Sequence, residues 1–581
     1  MPREINFDSN PFITVEGVNP YAGPKEITNV LKEFIQSNNI RTVVFDYYHG
    51  VDEKYLYENI ISHLGADLYV DTNEIKYPEE VISEKFHCFI TDDRVNGVSS
   101  FVKIDEFFDP VLKEEANRQV REHSGLCVVY GVGAQVVVDG DMLVYCDIEM
   151  EEIHRRYRNG LDNWGAGNYE EEFLRKDKRF MFLESRVQDW HKRPLLEKLD
   201  FIIDCNRTED LVMLNKQDFD EMIHAFVSRP MRPVPFFQPA VWGGHWLKDT
   251  LGVGEDLVNT GWGMLGVLEF QAVQAKVKDK FFVMPGKNVY FNKPLEFLGG
   301  QIFYMWGYKV PIMVDILDTW GGGNLSLQCH PTVAYNQETF NWPYGHCESY
   351  YMLDTMEDSS VYLGTKTGVK IPEFVEALEE AQETGEFDET KWVNNWPMKK
   401  HDHIYIPSGT LHCSGRNTLV LEINTFWVST FKLWDWGRVD LDGKPRPIDI
   451  GHGKNVLREE YTTEFVRNRL MSKRVETDRG DGWTKEHSGL MEYEPLHVER
   501  YWFEKAVAFD TRESLKVVIL VEGEEALIVS PNDAFEPQIM HYAEPFFMPA
   551  ALGSFYIKPY GKSAGKKLAV LELYQDLGSK Y

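Results

Sequence analysis

The sequence predicts a multidomain chain: an α/β layered domain first, then all-β domains of sandwich or barrel type with one helical insertion. Three observations lead there. The 581 residues suffice for two to four domains, and a composition that is 43% hydrophobic and 13% aromatic can build cores of that size. Over residues 24–206 helical and strand patterns alternate, which implies strands joined by crossover helices in a mostly parallel sheet. From about residue 207 turns rich in Gly and Pro become dense and short strand patterns follow closely on one another, the texture of a sandwich or barrel.

Taken in order, residues 1–23 are expected to be an arm. "PKEITNVLKEFIQSNN" is an amphipathic helix, "IRTVVFDYYHG" a buried strand with a turn, and "DEKYLYENIISHLG" a second helix closed by glycine. "SGLCVVYGVGAQVV" and "MLVYCDI" are apolar strands, "EMEEIHRRYRNG" a helix and "KLDFIIDCN" a last strand, so the first domain is set at 24–210. A second domain follows at 211–480. Its strands are "FFVMPGKNVYFN", "VPIMVDILDTW", "NLSLQCH", "ESYYMLDT", "DHIYIPSGTLHCSG" and "TLVLEINTFWV", with the helical insertion near 371–393. The charged run over 457–489 reads as a solvated helix and loop between domains. Residues 481–581 return to strands, and "FMPAALGSF" there weakly repeats "YIPSGTLH".

The net charge of −31 argues against nucleic acid or an anionic membrane as partner, because the long-range field repels phosphate. Seven Cys with no C-x-x-C spacing, mostly in apolar strands, predict reduced thiols. With no apolar leader in "MPREINFDSNPF" and no apolar stretch long enough for a bilayer, the expected location is the cytoplasm. A homo-oligomer is compatible with all of this.

The chemistry concentrates in "LSLQCHPTVAYN". Gln328 and His330, two apart on a strand, point to one side. A divalent metal in a barrel needs three or four ligands converging from different strands. Glu348 on "GHCESYYMLD" and His412 after the tight turn "YIPSGTLH" would complete such a set. One neutral oxygen, two imidazoles and a carboxylate suit zinc with an open position, and also iron, manganese or cobalt. His346, on the face of Glu348, and the pair His401 and His403 compete for these places.

These segments resemble type I mannose-6-phosphate isomerases, which are zinc cupins. "VWGGHWLKDTLG", "VPIMVDILDTWGGGNLSLQCHP", "YGHCESYYMLDT", "HDHIYIPSGTLHCSGRNTLVLEI" and "FKLWDWGRVDLDGKPRPIDI" follow the family's motifs in order across about 235–455. The tail from 490 is similar to the family's second, metal-free cupin. The resemblance implies jelly-roll domains, a sugar phosphate as small-molecule partner, and zinc held by Gln328, His330, Glu348 and His412. It also implies interconversion of mannose 6-phosphate and fructose 6-phosphate through a cis-enediolate. Three positions depart from the family's pattern. Lys432 stands in place of its arginine, Asp315 in place of one lysine and His346 in place of another.

Lys432 is the expected catalytic residue, with Glu422 or His346 as further proton carriers. Arg438, Trp242 and Ser326 are expected at the substrate, Lys444 and Arg446 are other phosphate candidates, and Trp434 and Trp436 could stack on sugar. A non-catalytic sugar sensor or scaffold is the alternative reading, and an oxygenating cupin a third. The first domain resembles P-loop nucleoside or uridine kinases, but "DYYHGVDEKY" lacks the Gly-Lys-Ser/Thr that holds phosphate. A kinase-like domain without a catalytic phosphate loop is therefore expected.

Overall fold

The computed structural model describes residues 6–426, 429–489 and 496–575. It divides into two compact units. One comprises residues 12–226 and 269–293. The other takes the residues up to 11, 227–268 and everything from 294 onward.

The first unit is built on a seven-stranded sheet. Its spatial order is Tyr21–Ala22, Val212–Asn215, Phe201–Asp204, Met142–Asp147, Thr42–Tyr47, Cys127–Val132 and Leu68–Asp71. The last five of these run parallel. Their nearly continuous burial explains the unbroken apolar runs of "VVFDY" and "MLVYC", since helices cover both faces of such a sheet. The helix Pro24–Asn38 begins with proline in its first turn and ends at Asn39 in the left-handed region. It buries Ile27, Leu31 and Ile35, a stripe at helical spacing. Ile13–Val15 pairs in parallel with Ala272–Val277, which pairs with Lys280–Pro285.

Two local expectations are corrected here. "DEKYLYENIISHLG" is a helix only over Glu53–Asn59, with a separate turn of 3₁₀ helix at Ile61–Leu64. "FFVMPGKNVYFN" is a strand only to Pro285, and Lys287–Asn292 is helical. Proline removes a ladder donor and stops the strand.

The second unit contains two sandwiches. In the first, a six-stranded sheet (His403–Ile406, Glu348–Thr355, Thr418–Asn424, Met313–Asp318, Trp262–Gly266, Phe236–Gln238) faces a five-stranded one. The latter runs Val393–Pro397, Ser360–Thr365, His412–Ser414, Leu327–Cys329, Phe431–Trp434. "TLVLEINTFWV" is a strand to Asn424, and its last two residues lie outside the described residues. The helix Ile371–Thr384 buries Ile371, Phe374, Val375 and Leu378 against this sandwich's core and stops at Gly385.

The second sandwich pairs a six-stranded sheet with a four-stranded one around its own core. It corrects the reading of the charged run. Thr463–Leu470 is helical, but Val475–Gly480 and Trp483–Gly489 form a hairpin turning at Gly482 and joined to Leu496–Phe503. Val475–Gly480 is an exposed edge strand, and charged edge strands are a common way to discourage further pairing. Its alternation carries no apolar face, so it looks like a loop in sequence.

Among the described residues no helix is long and apolar enough to cross a membrane. All seven cysteines are free, and all but Cys88 are buried.

Candidate metal centre

The two sheets of the first sandwich meet over a polar interior. Residues opposite one another in antiparallel register share a face, and Glu348 opposite Asn424, Tyr350 opposite Glu422 and Asp315 opposite Glu422 define the inner face of the larger sheet. From the smaller sheet, Gln328 stands opposite both His412 and Lys432.

His330, Glu348 and His412 converge, with their ligand atoms all within 4.8 Å of one another. Nε2 of His412 is 2.5 Å from Oε1 of Glu348, and Nε2 of His330 is 3.3 Å from the same oxygen. The Gln328 amide lies 3.4 Å from Nε2 of His412, close enough for its oxygen to join the set after a half-turn of the amide. All four side chains are buried.

Local backbone fixes these positions. Gly409 takes a positive φ of 81°, and a Cβ there would lie 2.4 Å from the Val456 carbonyl oxygen. The same residue's N–H donates to the His330 carbonyl at 2.9 Å, tying the "PSGT" turn to the other imidazole strand. The Thr410 hydroxyl donates to the Pro407 carbonyl at 2.6 Å. The turn then delivers His412 with Nδ1 2.9 Å from the Thr410 carbonyl oxygen. That bond places the proton on Nδ1 and leaves Nε2 as a lone pair aimed at Glu348, the usual arrangement of a metal-binding histidine.

The donors fit a divalent cation. Neither ring nitrogen of His330 makes a hydrogen bond among the described residues, nor does Oε1 of Glu348. Each buried unpaired polar group costs about 1–3 kcal/mol, a cost that a cation would remove. Burial, reinforced by His346, pushes His330 down to about 4, so it is neutral at pH 7. Burial opposes ionisation of Glu348, but His330 and His412 outweigh it and hold that carboxyl well below its ordinary range. Neutral imidazole and ionised carboxylate are the states that bind metal.

His346, a competing ligand in the sequence, lies in the same interior. Its ring stacks on His330 at 4.0 Å, and its Nε2 is 3.4 Å from Oε2 of Glu348. His401 and His403 face away. His401 accepts from the Tyr351 hydroxyl at 2.9 Å and meets Glu522 at 3.2 Å. His403 bonds Ser349 Oγ at 2.9 Å and the Ser488 carbonyl at 3.0 Å.

Asp315, Glu422 and Asn424 line the interior beyond Glu348. The Asn424 amide donates to Glu422 at 2.7 Å and to Asp315 at 3.3 Å. Burial, and then Glu348, pushes Asp315 well above its ordinary range; burial, and then Asp315, does the same to Glu422. Asp315 was legible only as a departure from the family's lysine. The alternation of Glu422 and Asn424 in "LEIN" was the signal for the other pair.

Lys432 shares the face of Gln328, and burial, with the charge of Arg446, pushes its ammonium down. The Ser326 hydroxyl is buried with no hydrogen bond among the described residues. Trp242 is buried in the core cluster, edge-on to Trp262 at 5.3 Å. Trp434 belongs to that core, and the Trp436 indole donates to the Leu325 carbonyl at 2.7 Å. Arg438 and Arg446 both pair with Asp435, and Lys444 lies 3.7 Å from Asp442.

Residues 23–228 match the family model described as a domain of unknown function (DUF8485). The chain is homologous to mannose-6-phosphate isomerases over part of its length. It is 28% identical over 240 residues to the probable mannose-6-phosphate isomerase GmuF of Bacillus subtilis, covering 40% of this chain and 69% of the relative. It is 25% identical over 343 residues to the mannose-6-phosphate isomerase ManA of the same organism, covering 58% of this chain and 98% of that one. The crystal structure of the B. subtilis mannose 6-phosphate isomerase is similar at 20% identity and a TM-score of 0.48, covering 59% of this chain and 99% of its own.

Proposed function

We propose that this chain is a metal-dependent aldose–ketose isomerase, interconverting mannose 6-phosphate and fructose 6-phosphate or a closely related sugar, with zinc as its ordinary metal. The observation that carries the reading is the convergence of His330, Glu348 and His412, with Gln328 alongside, in a chain homologous to mannose-6-phosphate isomerases. The relatives' names, not their geometry, supply the substrate class.

Aldose–ketose isomerisation moves a proton between C1 and C2 through a cis-enediolate. A divalent ion bound by Gln328, His330, Glu348 and His412 would supply Lewis-acid stabilisation of charge on the substrate's oxygens. The chain's own groups do the rest. Lys432, on the same face as Gln328 with an ammonium pushed below its ordinary range, is suited to carry a proton or to balance the enediolate's charge. Asp315 and Glu422, whose carboxyls burial pushes well above their ordinary range, can hydrogen-bond sugar hydroxyls.

The first unit is read as kinase-like in ancestry, with a structural role. Thr42–Tyr47 leads through Gly50 to a short helix capped by Asp52, with no lysine or hydroxyl in phosphate-loop position. Beyond the carboxyl ends of its strands, Lys192 pairs with Asp147 at 2.6 Å and Lys287 with Asp189 at 2.8 Å. These pairs put the unit's own charges near where ligands bind in open α/β sheets, which supports the structural reading.

A second reading, a sugar sensor without turnover, draws on Asp315 and Glu422. They line the interior where a sugar phosphate would have to be held. The deciding experiment assays the zinc-loaded full chain against a panel of aldoses and aldose phosphates, following ketose by NMR. Turnover that needs the metal supports the isomerase. Tight binding without turnover supports the sensor. A chain that takes up no divalent metal, or a Glu348→Gln variant with full turnover, would sink the first reading.

A further inference from the structure

We propose that the interior holds a second divalent cation, bound by His346, Glu422 and Oε2 of Glu348 with Asp315 beside it, so that Glu348 bridges two metals. The inference rests on the first centre described above, because Glu348 is common to both.

The two oxygens of Glu348 are oriented differently. Oε1 faces His330 at 3.3 Å and His412 at 2.5 Å, whereas Oε2 faces His346 at 3.4 Å. His330 and His346 stack at 4.0 Å with an interplanar angle of 29°. Each therefore aims Nε2 at its own oxygen of one carboxylate. Ligand atoms of His346, Glu348 and Glu422 all lie within 4.8 Å of one another. Two-metal sites hold their ions about 3.5–4 Å apart, and the two imidazoles reach the two oxygens of one carboxylate side by side, with ring centroids 4.0 Å apart.

The cluster is more than a group of acids. Nδ1 of His346 and Oδ2 of Asp315 make no hydrogen bond among the described residues, although each side chain is only 3% exposed. Asp315, Glu348 and Glu422 are buried together, and buried carboxylates are tolerated as ions only where a cation compensates them. A set of one imidazole with two or three carboxylates favours oxygen-preferring ions such as manganese or iron(II), with zinc also accepted.

The test strips the full chain with a chelator, reloads it with manganese(II) alone, removes free ion by gel filtration and counts metal by mass spectrometry. Two ions per chain are expected, with a magnetically coupled pair in the electron paramagnetic resonance spectrum. Glu422→Gln, which preserves shape, and His346→Ala should each retain one ion and show an isolated-ion spectrum. Glu422→Gln decides the matter if His346→Ala does not fold. One ion in the unaltered chain, or two ions that survive both substitutions, overturns the second site while leaving the first intact. No ion at all would remove the first centre as well.

Discussion

Nε2 of His412 stands 2.5 Å from Oε1 of Glu348, while Nδ1 of the same ring faces the Thr410 carbonyl oxygen at 2.9 Å. One hydrogen bond thus sets the tautomer and the other contact marks where the positive charge belongs. In an isolated protein this would be a short His–Glu pair. Beside His330, whose ring nitrogens make no hydrogen bond among the described residues, and the Gln328 amide, it is half of a four-residue ligand set.

Glu348→Gln keeps the shape of the side chain and removes its charge. Zinc affinity should fall by on the order of 100-fold or more, since a charged ligand matters at least as much as the outer-shell partners whose loss costs about 10–100-fold. Turnover should fall with it. Competition against a fluorescent chelator measures the first effect and ketose formation the second. Unchanged affinity would exclude Glu348 as a ligand.

Lys432→Met should lower kcat by about 10²–10⁴, the usual contribution of a positioned proton carrier, and leave metal content at the parental value. Lys432→Arg separates charge from proton transfer, because a guanidinium keeps its proton throughout the accessible pH range. Recovery of kcat by arginine would assign Lys432 to charge balance. Loss of metal in either variant would show instead that it acts through Gln328, its neighbour in register.

Much of this site was legible because strands encode it at period two. Gln328 with His330 declares a shared face from spacing alone, and "PSGTLH" declares a fixed turn before a ligand. The convergence was not legible. His346, His401 and His403 look alike in the sequence, and only their tertiary contacts show that the first lies against His330 and Glu348 while the other two meet Ser349, Ser488 and Glu522. The hairpin at 475–489 was missed because an exposed edge strand buries nothing, so its pattern carries no apolar period. The association of 269–293 with the first unit depends on long-range pairing to Ile13–Val15, which no local pattern encodes.

Lys192 and Asp147 form a buried pair in the first unit, with nitrogen–oxygen distances of 2.7 and 2.6 Å. Lys192→Ala leaves Asp147 buried with the Asn288 amide, at 2.7 Å, as its remaining side-chain donor. A loss of about 3–5 kcal/mol is expected from stranding such a charge, read as a lower calorimetric midpoint for that unit's transition. Manganese stoichiometry at the metal centre should not change. A destabilised unit with full metal content would support the structural reading of the α/β portion.

Glu522 carries the pH prediction. His401 donates to it at 3.2 Å and Lys400 at 2.6 Å, and together they overcome partial burial to hold the carboxyl at about 2. Burial lowers His401 from its ordinary range, and its other ring nitrogen meets the Tyr351 hydroxyl at 2.9 Å. A carboxyl lowered on folding adds stability that is complete above its unfolded value and is lost as pH falls through the folded one. The stability difference between the parent chain and Glu522→Gln should therefore be about 1 kcal/mol near pH 7, as for a part-exposed pair. It should shrink steadily from about 4.5 down to about 2. Calorimetric midpoints of both chains across that range measure it. A gap that stayed constant would mean that Glu522 contributes by packing, not by charge.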